Sequence, residues 1–113
     1  MRMARAEHIR LRVTPVAGVS PAKVLAAIRK YLSESTRAPW EVLGRTPLAL
    51  AHRSPRAAGV RYTLKPDKEE LAVTLNGARA RLGLAYVVTL CANTRFDGLI
   101  SSIRVELPGH STR

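Results

Sequence analysis

The chain has 113 residues and carries 19 Lys and Arg against 8 Asp and Glu, which gives a formal net charge of +11. This length suits one domain with its own core, and an apolar content of 46% argues against disorder. The apolar runs fall short of the roughly 20 residues that a membrane helix needs, and charged residues interrupt the region where a signal peptide has its apolar core. We therefore expect a soluble, cytoplasmic domain with a core over residues 7–108 and frayed ends at 1–6 and 109–113.

The first half of the chain predicts strands around one helix. The predicted elements are a strand over residues 8–14, a helix over 21–33, a strand over 40–45 and a strand over 48–53. Ser20 and Pro21 are typical of a helix N-cap and of the first helical position. Thr46 and Pro47 leave a short helix open as the alternative for residues 48–53, although the alternation of Leu48 with Leu50 favours a strand.

The second half has the pattern of an antiparallel meander. The predicted strands are residues 60–65, 71–75, 78–90 and 99–107, with loops at 54–59 and 93–98. Asn76-Gly77 is the strongest short hairpin signal in the chain, and Gly83 is expected to form a bulge in the strand that follows. The loop at 54–59 is expected to be mobile and to carry arginine to a ligand.

The sum of these elements predicts the fold class. We expect an α+β domain with a mainly antiparallel sheet of five to six strands and one principal helix after the first strand. One helix cannot cover both faces of such a sheet, so the other face is expected to be solvated, to bind a ligand or to meet a second subunit.

Charge placement gives the main functional signal. Residues 42–66 contain no Asp or Glu. Arginine outnumbers lysine in the whole chain, and its planar guanidinium binds phosphate through two parallel hydrogen bonds. A basic excess of this size opposes compactness through self-repulsion, so we interpret it as a surface for a polyanion.

The candidate nucleic-acid-binding residues fall into three groups. Cations on the outward phase of predicted strands are Arg10, Arg12, Arg61, Lys65, Arg79 and Arg81. Further cations in loops or in the acid-free block are Arg45, Arg53, Arg56 and Arg95. Trp40 and Phe96 are the candidates for stacking on unpaired bases, because each stands beside a turn or a loop residue.

Signals for catalysis and for metals are weak. The chain has no Gly-rich phosphate loop and no His-Glu-x-x-His motif, and its histidines lack the spacing of paired metal ligands. We assign no catalytic residue, no metal site and no cofactor. Cys91, the single cysteine, excludes an internal disulfide and is expected to be a small core residue.

In overall plan the chain resembles the archaeal single-strand nucleic-acid-binding proteins called ThermoDBP and their relatives. The resemblance rests on the early helix at 21–33, the run of strands over 60–107 and the flanking arginines. It implies a small α+β domain that binds single strands through a basic, partly apolar cleft, and it implies dimer or tetramer formation. It is a resemblance of architecture and charge, so it assigns no role to any residue.

Three functions follow from this sequence. The leading prediction is a non-enzymatic binder of single-stranded or structured RNA or DNA, acting as a homodimer or within a larger complex. The first alternative is a structural or assembly subunit of a ribonucleoprotein, or of a complex with an acidic partner protein. The second alternative is a metal-independent ribonuclease that uses His52 as a base with Arg53 or Lys65.

Overall fold

A computed structural model of the chain describes residues 7–35 and 39–106. These residues form one six-stranded antiparallel sheet and two α-helices, which confirms the predicted α+β class. The elements are, in chain order, β1 (Glu7–Pro15), α1 (Pro21–Glu34), β2 (Trp40–Arg45), β3 (Leu48–His52), β4 (Arg61–Asp67), β5 (Glu70–Gly77), α2 (Ala80–Cys91) and β6 (Ile100–Glu106). Single 3-10 turns lie at Pro55–Ala57 and Thr94–Phe96.

The strands lie in the order β2-β3-β4-β5-β1-β6. The first strand is therefore placed between two strands from the second half of the chain, with Leu11 opposite Val73 on β5 and opposite Val105 on β6. All the strand pairs are antiparallel. β2 and β6 form the two edges, and the long connection through α1 brings β2 to the far side.

Both helices pack on one face of the sheet, where the core lies. The alternation in β1 turns Ile9, Leu11 and Val13 toward the helices, and all three are fully buried. α1 begins where the Ser20 side chain accepts a hydrogen bond from the backbone N–H of Lys23, at 3.1 Å. No element of the described residues packs on the opposite face, which we call the open face.

The structure corrects the prediction of a strand over residues 78–90. α2 occupies this segment, so the fold has a second helix and the run of strands is interrupted. The residues of α2 that are buried recur every three or four positions, as Ala80, Gly83, Val87 and Leu90, which is the helical period. The prediction followed the alternate residues that begin with Leu82, but Leu82 is 54% exposed. Apolar residues on nearly all sides of the segment allowed both periods.

Gly77 ends β5 and does not form the predicted two-residue hairpin. It adopts a φ of 144°, and its backbone packs directly against Gly59, so that a side chain has no room there. The chain leaves the sheet at this point and enters α2 three residues later. The predicted bulge at Gly83 is likewise wrong, because Gly83 lies inside a helix.

Other local predictions have definite outcomes. Residues 48–52 form a strand, as favoured, and Cys91 is a buried core residue whose burial raises the pKa of its thiol to about 12. The predicted loop over 54–59 contains a 3-10 turn at Pro55–Ala57, in which Ala57 is buried. The predicted frayed ends, and the last residue of the strand predicted over 99–107, lie outside the described residues. Neither helix that the structure describes is long and apolar enough to span a membrane.

Candidate functional site

The open face contains a shallow trough that runs along β5. Its floor consists of the short side chains of β5, namely Ala72, Thr74 and Asn76. The bank on β4 carries Arg61, Thr63 and Lys65, and the bank on β1 carries His8, Arg10 and Arg12. We call this feature the β5 trough.

The strand register brings the two banks together in rows across the sheet. Lys65 lies opposite Ala72, which lies opposite Arg12, and Arg61 is joined in the same way through Asn76 to His8. Because adjacent strands are about 4.8 Å apart, the backbones of the two banks are separated by about 10 Å. Short floor residues between long basic ones leave a groove of about 320 Å³ at the Arg10–Lys65 end.

Carboxylates neutralise the cations at one end of the open face. Arg12 donates to Asp67 at 2.7 Å and lies 4.0 Å from Glu70, which also lies 3.6 Å from Arg104 of β6. The hydrogen bond from Arg12 lowers the pKa of the Asp67 carboxyl, and the charges of Arg12 and neighbouring lysines act in the same direction. This end of the sheet therefore holds its cations in internal ion pairs.

The remaining trough cations differ in this respect. Within the described residues, no carboxylate lies within 4.0 Å of the charged groups of Arg10, Arg61 or Lys65. All three residues are exposed, and Arg61 extends across the sheet to within 4.0 Å of the Cβ position of Gly44. Arg10 and Lys65 thus line the groove beside the Arg12–Asp67 pair, whereas the guanidinium of Arg61 extends over the same face toward β2.

Two predicted strand cations lie elsewhere. Arg79 is the N-cap residue of α2 and Arg81 lies in its first turn, so neither belongs to the open face of the sheet. Their prediction as sheet cations is wrong because it depended on the strand over 78–90. The two arginines lie beside a helix N-terminus, where the dipole disfavours positive charge.

Arg95 has a structural role in the helix layer. Its guanidinium bonds to Glu34 of α1 at 3.1 Å and lies 5.4 Å from the centre of the Tyr31 ring. These contacts hold the turn at Thr94–Phe96 against α1. Arg95 is therefore engaged within the protein and on the side away from the trough.

The other cations of the acid-free block are spread along the β2–β3 side. Arg45 ends β2, and its register partner Leu48 faces the helices, so Arg45 lies on the helix side. Arg53 follows β3 directly, and its backbone N–H donates to the carbonyl of Pro39. Arg56 is exposed in the 3-10 turn before β4.

Trp40 and Phe96 are buried, and the prediction that they stack on bases does not fit their surroundings. Trp40 is 8% exposed and packs edge-on against Tyr62, while Phe96 is 2% exposed and packs edge-on against Tyr31. Their positions beside a turn or loop suggested that the two rings are exposed, but both rings pack between the helices and the sheet. All the aromatic side chains of the chain belong to the helix side, so the open face has no aromatic stacking surface.

His52 lies in the helix-side layer within this aromatic group. Its ring stacks on Tyr86, with 4.0 Å between the ring centres, and meets Trp40 edge-on. Its Nδ1 accepts the backbone N–H of Ser54 at 3.0 Å, and burial lowers the pKa of the imidazole. The bond from Ser54 occupies Nδ1 as an acceptor, which places the proton of a neutral imidazole on Nε2.

Sequence reasoning missed several members of the open face. His8 bonds through Nδ1 to the side chain of Asn76, and Thr63 and Thr74 lie opposite each other between the cations. The alternation of each strand predicts that these side chains point outward. The sequence does not predict which of them are neighbours across strands, because that depends on the register between distant segments.

Comparisons with protein-family models, with curated proteins and with solved structures find no match for this chain. The resemblance to the ThermoDBP group remains a prediction.

Proposed function

We propose that this protein binds nucleic acid without cutting it, and that the phosphate backbone lies along the β5 trough. One observation carries the proposal: Arg10 and Lys65 are exposed on either side of a floor of short side chains, Arg61 is exposed on the same face, and all three lack a carboxylate partner among the described residues. Cations without internal partners are free to replace the counterions of a phosphate chain. A net charge of +11 adds long-range attraction to the same ligand.

The character of the trough favours a structured nucleic acid over an unstacked single strand. Sequence-tolerant binding of single strands uses aromatic rings on which bases stack, and the open face has none. Thr63, Thr74 and Asn76 supply hydroxyl and amide groups, which bond well to phosphate oxygens and to ribose hydroxyls. We therefore infer a ligand that presents its backbone, such as an RNA hairpin or duplex.

The ribonuclease alternative gains no support from the geometry. His52 and Lys65, one of the two cations proposed to assist it, lie on opposite faces of the sheet. An RNA in the trough is thus separated from His52 by the sheet. The packing of the ring between Trp40 and Tyr86, together with its bond from Ser54, indicates a structural role.

Titration of a fluorescein-labelled RNA hairpin at several salt concentrations tests the proposal. With about three phosphates neutralised, log K should fall against log salt with a slope of roughly −2 to −3. The variant Arg10→Ala/Lys65→Ala removes the two cations that line the groove, so it should weaken binding and make this slope shallower by about 2, since each lost cation removes about one phosphate contact. An unlabelled strand of the same length that cannot fold should compete less well than the hairpin.

The matched control is Lys23→Ala/Lys30→Ala, which removes the same charge from the exposed side of α1. It should retain the slope of the wild-type protein. Equal weakening by both double variants would show a response to net charge alone and would contradict a site in the trough. Absence of binding at low salt would contradict the function itself.

A further inference from the structure

A second surface lies on the helix side of the molecule, between α1 and the edge strand β2. It is a groove of about 440 Å³ with an apolar floor of Leu32, Val42 and Leu48. Its rim carries Arg29, Lys30 and Arg45, and no acidic residue lines it. We call it the β2 groove, and the sheet separates it from the β5 trough.

The outer edge of β2 adds an unusual feature to this groove. Among the described residues β2 pairs only with β3, so its other edge has backbone N–H and C=O groups without a strand partner. Val42 is 46% exposed and Leu43 is 44% exposed, and a bulge between Val42 and Gly44 lies beside them. Exposed apolar side chains on an open strand edge are a docking or aggregation hazard unless a partner covers them.

We propose that the β2 groove binds an extended acidic segment of a partner protein, which adds a strand to the edge of β2. Strand addition satisfies the free backbone groups, and alternate side chains of the added segment then reach the groove. Apolar side chains cover Val42 and Leu48, while carboxylates meet Lys30 and Arg45. The proposal is independent of nucleic-acid binding in the trough.

The chemistry of the groove selects this occupant over two others. A nucleic-acid backbone has no apolar side chains to bury on Leu32 and Val42, and it cannot continue a β-sheet. A second copy of the chain would bring the same rim cations and its own charge of +11 to the contact. Arg29 is itself fixed by a 2.6 Å hydrogen bond to the carbonyl of Arg45, which holds the rim open and basic.

Fluorescence anisotropy with a short labelled peptide tests the proposal. The probe is a peptide in which every second residue, on the face toward the groove, is Val and Glu in turn, with Thr at the positions between them; it is compared with a peptide that has Lys in place of Glu and with one that carries Pro at its centre. The acidic peptide should bind, and the other two should bind at least about tenfold more weakly, because they lose charge complementarity or strand pairing. Backbone amide shifts in NMR spectra should change along β2 and not along β5.

The variants Lys30→Glu and Val42→Glu should each weaken peptide binding about fivefold or more, since each removes attraction from the groove. Both positions are exposed, so neither change buries a charge, and unchanged thermal unfolding verifies the fold. Lys23→Glu is the matched control and should change affinity less than about twofold, since Lys23 lies on α1 outside the groove.

Several results would overturn the proposal. One is that the acidic peptide does not bind, and another is that Lys23→Glu lowers its affinity as much as the groove variants do. The others are that the RNA hairpin displaces the peptide, or that the peptide changes amide shifts only along the β5 trough. A sedimentation shift toward monomer on Val42→Glu would show instead that a second copy occupies the groove. If the protein binds the peptide but not the RNA hairpin, the result would contradict nucleic-acid binding in the β5 trough and would support peptide binding in the β2 groove.

Discussion

Asp67 shows at the scale of a single residue how this protein distributes its few acids. The chain has 8 of them against 19 Lys and Arg, and Asp67 and Glu70 both lie beside Arg12. Two of the acids are therefore used in ion pairs with Arg12, whereas Arg10, Arg61 and Lys65 lie beyond 4.0 Å of any carboxylate of the described residues. The pairing has a pH dependence that can be measured.

We predict that Asp67→Asn lowers the free energy of unfolding at neutral pH and has little effect in strong acid. The hydrogen bond from Arg12 holds the pKa of folded Asp67 below its unfolded value, so the stabilisation is fully present above an ordinary aspartate pKa of about 3.9. It is lost as the pH falls through the lowered folded pKa. Urea unfolding of both proteins between about pH 7 and about pH 2 measures the difference.

Asp97→Asn is the control for this experiment, because Asp97 is exposed at the turn before β6. Its effect should be smaller at neutral pH. A difference between wild type and Asp67→Asn that stays constant down to strong acid would show that the ion pair with Arg12 contributes nothing.

At the scale of the elements, the contact of α2 with the sheet depends on one glycine. The Tyr62 hydroxyl donates to the Gly83 carbonyl at 2.8 Å. Its oxygen is the atom nearest to the position of a Cβ on Gly83, and the ring carbon that carries it lies 3.2 Å from that position. Glycine therefore lets α2 approach β4 at this point. Burial of the hydroxyl raises the pKa of Tyr62 to about 12, in agreement with a phenol that stays protonated.

We predict that Gly83→Ala destabilises the protein by about 1–2 kcal/mol. Steric overlap with the buried Tyr62 costs about 1–3 kcal/mol, and the better helix propensity of alanine offsets up to about 1 kcal/mol. Tyr62→Phe alone loses a hydrogen bond and should cost about 1 kcal/mol. Chemical denaturation of the single and double variants measures these costs.

The double variant separates overlap from a general loss of helix packing. Removing the hydroxyl relieves the closest contact, so the double variant should be less destabilised than the sum of the two single variants. Strictly additive costs would mean that Gly83 and Tyr62 do not compete for the same space.

At the scale of the whole molecule, the charge of +11 is a cost to the folded state. Compaction brings Arg10, Arg61 and Lys65 onto one face of the sheet, and the ion pairs at the other end of that face do not neutralise them. Like charges repel most strongly at low ionic strength, where the screening length is long. The same repulsion makes the face receptive to an anion.

We predict that added sodium chloride raises the melting temperature. Going from about 0.01 M to about 0.15 M shortens the screening length from about 30 Å to about 8 Å, and relief of about 1 kcal/mol corresponds to a rise of roughly 4 °C. Differential scanning fluorimetry measures the shift. The variant Arg10→Gln/Arg61→Gln should have a higher melting temperature than the wild-type protein at low salt, and its melting temperature should rise less when salt is added.

A melting temperature that falls with salt would contradict this prediction. It would mean that attractive ion pairs such as Arg12 with Asp67 outweigh the repulsion among the unpaired cations.

The local sequence pattern by itself determined the fold class, most of the strands, the first helix and the outward direction of Arg10, Arg12, Arg61 and Lys65. These properties follow from alternation, capping residues and turn residues within short segments, which act without knowledge of the rest of the chain. The local pattern failed at α2, where apolar residues satisfied two periods at once. It also failed at Trp40 and Phe96, whose exposure depends on what packs over them.

Only the tertiary structure decided that β5 lies between β4 and β1, which turns scattered cations into two banks of one trough. Residues 10 and 65 are distant in sequence, and their distance in space is set by strand order and register. Strand order reflects how the two helices together cover one face of the sheet, which is a property of the packed core as a whole. The acid-free block from 42 to 66 was visible in the sequence, but packing assigned Arg61 and Lys65 to the trough and Arg45 to the β2 groove.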